Sequence, residues 1–207
     1  MNPKLTTFIF DCFGVVCSPV LNAWYKEYSS KTGFVDQNLR ETFRKFDLGI
    51  LSEDNIVEYF LKYEGITLTK EELRAELDSY FKFDEKMLKI IKELRRRGFK
   101  TMLLSNANQG FFDRKVYPSN PEFKNLFDEV VISSSVQMVK PNADIFLYAL
   151  EKIGSKPDES LFIDDSSENV EAALRLSIQG FVYSNIDPFV SYLKNLGIHL
   201  SHEAEIV

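Results

Sequence analysis

Five short apolar runs, each meeting polar residues at or just beyond its end, restrict the folds open to this chain more than any other feature. They are 7–11 (TFIFD), 100–106 (KTMLLSN), 129–133 (EVVIS), 160–165 (SLFIDD) and 180–183 (GFVY). A run that is apolar at nearly every position, not at alternate ones, reads as a strand buried on both faces. Helical spacing separates the later runs. In 84–97, Met87, Leu88, Ile91 and Leu94 share one face and Gly98 is the stop; 143–153 is stopped by Gly154; a third such stretch is 167–176. Buried strands alternating with amphipathic helices predict the α/β class: a Rossmann-like parallel sheet core wrapped by helices, with any ligand site at the carboxyl ends of the strands. Asp11, Ser105, Asn106, Asp164 and Asp165 all fall at those ends.

Residues 17–83 break the alternation. They hold no convincing buried strand but four amphipathic stretches, 20–30, 37–46, 52–63 and 69–81. The third opens on Ser52 with Glu53, Asp54 and Asn55 in its first turn, and the fourth has the capping-box spacing from Thr69 to Glu72. The pattern predicts a small helical cap (17–83) inserted after the first strand of a core made of 1–16 and 84–207. No internal repeat or low-complexity tract interrupts it.

Composition narrows the function. With 207 residues and 44% hydrophobic content the chain suits one compact domain, or one carrying an insertion. Its 25 basic against 31 acidic residues give a net charge of −6, so no broad basic field exists to hold nucleic acid. The apolar stretches fall far short of the ~20 residues a membrane span needs, and no signal-peptide pattern opens the chain. Cys12 and Cys17 sit in and just after a buried strand, which argues for reduced thiols and a cytoplasmic location. Whether the chain is a monomer or a homodimer is left open. The only histidines, His199 and His202, lie close to the C-terminus, which argues against a Ser-His-Asp triad or a histidine metal cluster. Neither cysteine has an arginine six positions on, and GxGxxG is absent.

If the strand ends are neighbours, Asp11, Asp164 and Asp165 crowd one small site. Each like pair near 4 Å repels by about 4 kcal/mol at an effective dielectric of 20, so something cationic must accompany them. Lys140, beside Pro141, offers one charge. An all-oxygen set of aspartates suits Mg²⁺, which keeps waters that a phosphate can displace. That cation would screen the repulsion between a phosphate and an attacking carboxylate, so that Asp11 acts as nucleophile and forms an aspartyl-phosphate that water then hydrolyses. The Ser105 hydroxyl and the Asn106 backbone N–H are candidates for holding the phosphate oxygens. Each residue also has a plainer reading: Asp11 a solvated strand end, Asp164 and Asp165 helix caps, Ser105 and Asn106 turn formers, Lys140 a solvated loop lysine.

FIFDCFGVV, LLSN, the lysine in VKPNADIF and FIDDSSENV resemble, in type, order and spacing, the four motifs of the haloacid dehalogenase-like hydrolase superfamily. The resemblance spans essentially the whole chain, and it is strong because four weak motifs recur in order. It implies a Rossmann-like core with a helical cap between the first two motifs and a nucleophilic Asp11. It further implies Ser105 as phosphate binder, Lys140 as the lysine of the third motif, and Asp164 and Asp165 as the acids of the fourth. Asp165 looks like the direct Mg²⁺ ligand, joined by Asp11 and the backbone carbonyl of Phe13, with Asn169 in support. SNANQGFF and FDLGILSEDN look most similar to the branch of sugar-1-phosphate phosphatases and the phosphatase domain of epoxide hydrolases.

Phe13 departs from the pattern, since most phosphatases of the superfamily carry an acid there to protonate the leaving oxygen. General acid help is typically worth about 10² to 10⁴ in rate, so the resemblance implies slow turnover of poor leaving groups unless another group substitutes. The expected activity is a Mg²⁺-dependent phosphatase for a small phosphorylated metabolite, a sugar phosphate among the candidates. Two alternatives stand beside it. A haloacid dehalogenase would suit an aromatic residue at position 13, but the acidic pair 164–165 would repel a carboxylate substrate. A metabolite-binding protein that lost turnover with the acid is the other. Arg95, Arg96 and Arg97 read as complements to a helix dipole, and Trp24, Tyr25, Arg40 and Arg44 are left without a role.

Overall fold

The computed structural model describes residues 5–201. Strand β1 (Thr7–Phe10) leads into four helices, α1 (Val20–Thr32), α2 (Leu39–Asp47), α3 (Glu53–Phe60) and α4 (Lys70–Ser79). Helix α5 (Glu85–Arg96) and strand β2 (Lys100–Ser105) follow. An irregular helix comes next, running from α6 (Gln109–Phe111) through a π turn (Phe112–Val116) into α7 (Tyr117–Ser119). The remainder alternates: β3 (Glu129–Ile132), the short α8 (Ser133–Val136), α9 (Ala143–Ile153), β4 (Ser160–Asp164), α10 (Ser167–Arg175), β5 (Gln179–Val182) and α11 (Ile186–Asn195).

Among the described residues five strands form one parallel sheet, in the order β3-β2-β1-β4-β5. This is a Rossmann-like α/β sheet with β1 at its centre. The strand period of two sends alternate side chains to opposite faces. Phe8, Phe10, Leu103, Leu161 and Ile163 join one apolar layer with Met87 and Ile91 of α5 and Phe189 and Leu193 of α11. Ile9, Met102, Leu104 and Phe162 face the other, against Ile145 and Phe146 of α9 and Val170 and Ala173 of α10. Each fully buried large side chain of these layers contributes about 1.5–3 kcal/mol relative to exposure.

Helices α1 to α4 pack around a separate apolar cluster that includes Trp24, Ile56, Phe60 and Leu73. Two capping boxes start the last two: Ser52 with Asn55 for α3 and Thr69 with Glu72 for α4. Trp24 is buried in this cluster and donates to Glu76 at 2.7 Å. Exposed Arg40 reaches Glu168 at 3.2 Å. Arg96 and Arg97 clasp Glu93 of their own helix at 2.9 and 2.8 Å, and Arg95 pairs with Asp128 at 2.5 Å. Cys12 and Cys17 are buried free thiols 3.6 Å apart.

Most strand ends lie a residue short of the apolar runs that announce them, which leaves Asp11 and Asp165 in loops just beyond β1 and β4. The apolar pattern of the sequence announces neither the irregular helix after β2 nor α11. In the first, Phe112 and Val116 are buried with the helical spacing of four, but the π turn shifts the face that follows. In α11, Asn185 caps the first turn at 3.2 Å, and Pro188 sits inside that turn. His199 is exposed, and His202 lies outside the described residues. No helix among the described residues is long and apolar enough to cross a membrane.

Candidate active site

Phe10 pairs with Leu103 on one side and Ile163 on the other, so the register brings the exits of β1, β2 and β4 together. Asp11 donates its backbone N–H to Ile163 O at 2.8 Å and stands at the first of these exits. The chain then curls tightly: Cys12 O accepts from Val16 N at 2.8 Å and Cys17 N at 2.7 Å. Gly14 lies inside the curl with φ +97°, and a Cβ there would come within 2.4 Å of Asp165 Oδ2. The loops after β1 and β4 meet this closely because residue 14 has no side chain.

Lys140 unites the site. Its Nζ donates to Asp11 Oδ1 at 2.6 Å, Asp164 Oδ2 at 2.7 Å and Leu104 O at 2.9 Å, which engages all three protons. Asn106 fixes the lysine's backbone from both sides: its Nδ2 donates to Lys140 O at 2.9 Å, and its Oδ1 accepts from Lys140 N at 2.8 Å. The Asn106 side chain thus serves to position Lys140. Asp164 has no exposed surface, and its two oxygens accept from Lys140, Ser166 N and Asn169 Nδ2. Asp165 remains exposed. Burial pushes the Asp11 carboxyl up to about 7; the Lys140 charge opposes that rise and the Asp164 charge adds to it. Burial alone would lower the lysine, but Asp11 and Asp164 outweigh it and hold Lys140 above its ordinary value.

Asp11, Asp164 and Asp165 each offer a carboxylate oxygen, all within 4.8 Å of one another. Oxygen donors alone, without sulfur or imidazole, fit a hard cation such as Mg²⁺. Asp164 already carries the lysine and the asparagine, so Asp11 and Asp165 are the freer donors. Ser105 is fully buried at the end of β2, and its Oγ has no hydrogen-bond partner among the described residues.

Above these residues a cavity of about 310 Å³ opens between the strand ends and helices α1 to α4. Asp11, Asn106, Lys140 and Asp165 line its core side. Phe13 lines it too and packs its ring against Phe111 and Phe112, at 5.8 and 6.0 Å between centroids. Asp47, Asn108, Phe111 and Arg114 also line it, and the sequence reading gave none of them a role. They come from the end of α2 and from the irregular stretch after β2, where no strand end announces the position. Burial pushes the Asp47 carboxyl up to about 7, against the pull of Lys140.

An acidic centre with one buried lysine thus lies at the carboxyl ends of a parallel α/β sheet and beneath a helical layer. Residues 5–177 match the family model of the haloacid dehalogenase-like hydrolases, and the chain belongs to this family. It is 21% identical to flavin mononucleotide hydrolase 1 of Arabidopsis thaliana over 96% of this chain and 80% of the relative. To the sesquiterpene phosphatase astK of Aspergillus oryzae it is 26% identical, over 84% of this chain and 89% of the relative. Its fold is that of a HAD family enzyme of Bacteroides thetaiotaomicron solved with magnesium and inorganic phosphate: TM-score 0.68, 19% identity, covering 90% of this chain and 99% of the other.

Proposed function

We propose that the protein is a Mg²⁺-dependent phosphomonoesterase of small phosphorylated compounds, with residues 17–83 acting as a cap over the site. The buried contact of Lys140 with both Asp11 and Asp164 beside exposed Asp165 carries this reading. Relatives named for flavin mononucleotide hydrolysis and sesquiterpene phosphate chemistry, and a similar fold that binds magnesium and phosphate, point the same way.

Asp11, Asp165 and the Phe13 carbonyl would hold Mg²⁺, with Asp164 at their side. When bound, the cation screens the phosphate charge and polarises its oxygens. The Asp11 oxygen not bound by Lys140 attacks phosphorus, and the bond to the leaving oxygen breaks, which places the phosphoryl group on Asp11. Lys140 holds Asp11 in line, and its charge offsets the negative charge of the carboxylates around the phosphoryl group. The buried Ser105 hydroxyl, without a partner among the described residues, and the Asn106 backbone N–H are the donors for the phosphoryl oxygens. Water then attacks phosphorus, the bond to Asp11 breaks, and phosphate departs. The acidic pair 164–165 disfavours the dehalogenase alternative, because it would repel a carboxylate substrate.

Phosphate release from 4-nitrophenyl phosphate, with Mg²⁺ and with a chelator, tests the reading. Metal-dependent release that disappears in Asp11→Asn supports it. Equal release by the variant, or release indifferent to metal, overturns it.

A further inference from the structure

The helical side of the cavity has spent its charged groups on one another. Arg114 donates to Glu53 through Nε at 3.0 Å and Nη2 at 2.7 Å, and to Asp78 through Nη1 at 2.6 Å and Nη2 at 2.8 Å. Arg74 is paired with Asp54. The Asn108 amide donates to the carbonyls of Phe46 and Leu51 at 3.4 and 3.1 Å, and its oxygen accepts from Gly110 N at 2.9 Å. What these pairs leave facing the cavity is largely apolar: Phe13, Phe43, Phe46, Ile56, Val57 and Leu77. A sugar brought here would give up water at each hydroxyl and find few free partners, whereas an apolar body gains from every contact.

One acid on that side stands apart. Asp47 lines the cavity, and its carboxyl has burial and the Lys140 charge acting on it, with no hydrogen bond within the described residues. Its backbone is pinned to the core, since Asp47 O accepts from Ser133 Oγ at 2.6 Å just past the end of β3. Gly49, at φ +74°, lets the chain after α2 press against Ser134, where a Cβ would lie 3.1 Å from the carbonyl oxygen. The backbone of Asp47 is therefore anchored to the core, and its carboxyl lines the same cavity as Asp11 and Lys140.

Resting on the phosphatase reading above, we propose that the site takes phosphomonoesters of apolar aliphatic or aromatic alcohols, and that Asp47 protonates the departing oxygen in place of the phenylalanine at position 13. An aliphatic alcohol leaves poorly as its anion, so this substrate class requires a proton donor that Phe13 lacks. With its carboxyl pushed up to about 7, Asp47 carries a proton in a substantial share of molecules at neutral pH. As the phosphorus–oxygen bond breaks, that proton passes to the leaving oxygen and the neutral alcohol departs. The Asp47 carboxylate then takes a proton from the water that attacks the aspartyl-phosphate, which restores the acid.

The test is a series of n-alkyl phosphates from ethyl to octyl, with glucose 1-phosphate, glucose 6-phosphate and 4-nitrophenyl phosphate, run on the native chain, Asp11→Asn and Asp47→Asn. The substrate class predicts that kcat/KM rises about threefold to fourfold per added methylene and exceeds that for the glucose phosphates. A flat series, or preference for either sugar, overturns it while leaving the phosphatase reading intact, provided 4-nitrophenyl phosphate is cleaved and Asp11→Asn abolishes that. For Asp47→Asn the expected loss in kcat is about 10² to 10⁴ on octyl phosphate, but under tenfold on 4-nitrophenyl phosphate, whose leaving group needs no proton. Retained cleavage of the latter also certifies that the variant is folded. Equal losses on both substrates, or none on octyl phosphate, overturn the role of Asp47.

Discussion

Lys140 answers a problem posed by the strand ends, where Asp11 and Asp164 come together with almost no access to water. A buried pair is costly to break because removal of one partner strands the other's charge. Lys140→Met is therefore expected to lose about 3–5 kcal/mol of unfolding free energy in urea, well beyond an ordinary surface substitution. A change near zero would show that the aspartates are not held as charged partners. Gly14 carries a steric constraint in place of an electrostatic one. Gly14→Ala should cost about 1–3 kcal/mol in the same measurement from backbone strain alone, and the new methyl would also displace the Asp165 carboxylate. An alanine variant as stable as the native chain would sink the account of the two loops meeting at that residue.

Among the elements, α5 shows how local chemistry stabilises a helix end. Glu93 is buried yet held down to about 2 by hydrogen bonds from Arg96 and then Arg97. A carboxylate whose folded value lies below its ordinary 4.5 adds stability above that pH, and the contribution fades as pH falls toward 2. Glu93→Gln should thus be less stable than the native chain at pH 7, with the gap closing between pH 4.5 and 2; a pH-independent gap in urea midpoints would exclude the charge as its cause. The same scale shows what the sequence made legible. Continuous apolar runs such as TFIF and SLFI, and stops such as Gly98 and Gly154, mark the strands and core helices to within a few residues. Ser52 and Thr69 mark the starts of α3 and α4 through chemistry that acts within one turn. The π turn over Phe112–Val116 is hidden in the sequence because it interrupts the helical period by which such faces are recognised. Asp11, Lys140 and the pair 164–165 were legible because strand ends and motif order point to them. Asp47 lies within the segment FDLGILSEDN, but its place in the cavity depends on how α2 docks on the core, a tertiary contact that the segment does not specify.

For the molecule as a whole, the helical layer and the sheet are joined by few polar ties, and Arg114 is the most heavily used of those lining the cavity. It binds Glu53 of α3 and Asp78 of α4 from the irregular helix of the core. Arg114→Ala leaves those two carboxylates facing each other, with an expected loss of about 1–3 kcal/mol. Limited proteolysis should then cut within 17–83 sooner than in the native chain while the sheet stays resistant; unchanged cleavage would mean that apolar packing alone seats the layer. The position of β1 has a further consequence, which concerns time. Strand β1 is the central one, and its neighbours begin at Lys100 and Ser160. At the ~5–20 residues per second of synthesis, the partner at residue 160 emerges roughly 8–30 s after β1 does. Through that interval TFIF has no sheet to join, whereas α1 to α4 have a cluster of their own. While it is synthesised, the chain is therefore expected to order its helical layer first and to depend on shielding of TFIF until the strand at residue 160 leaves the ribosome.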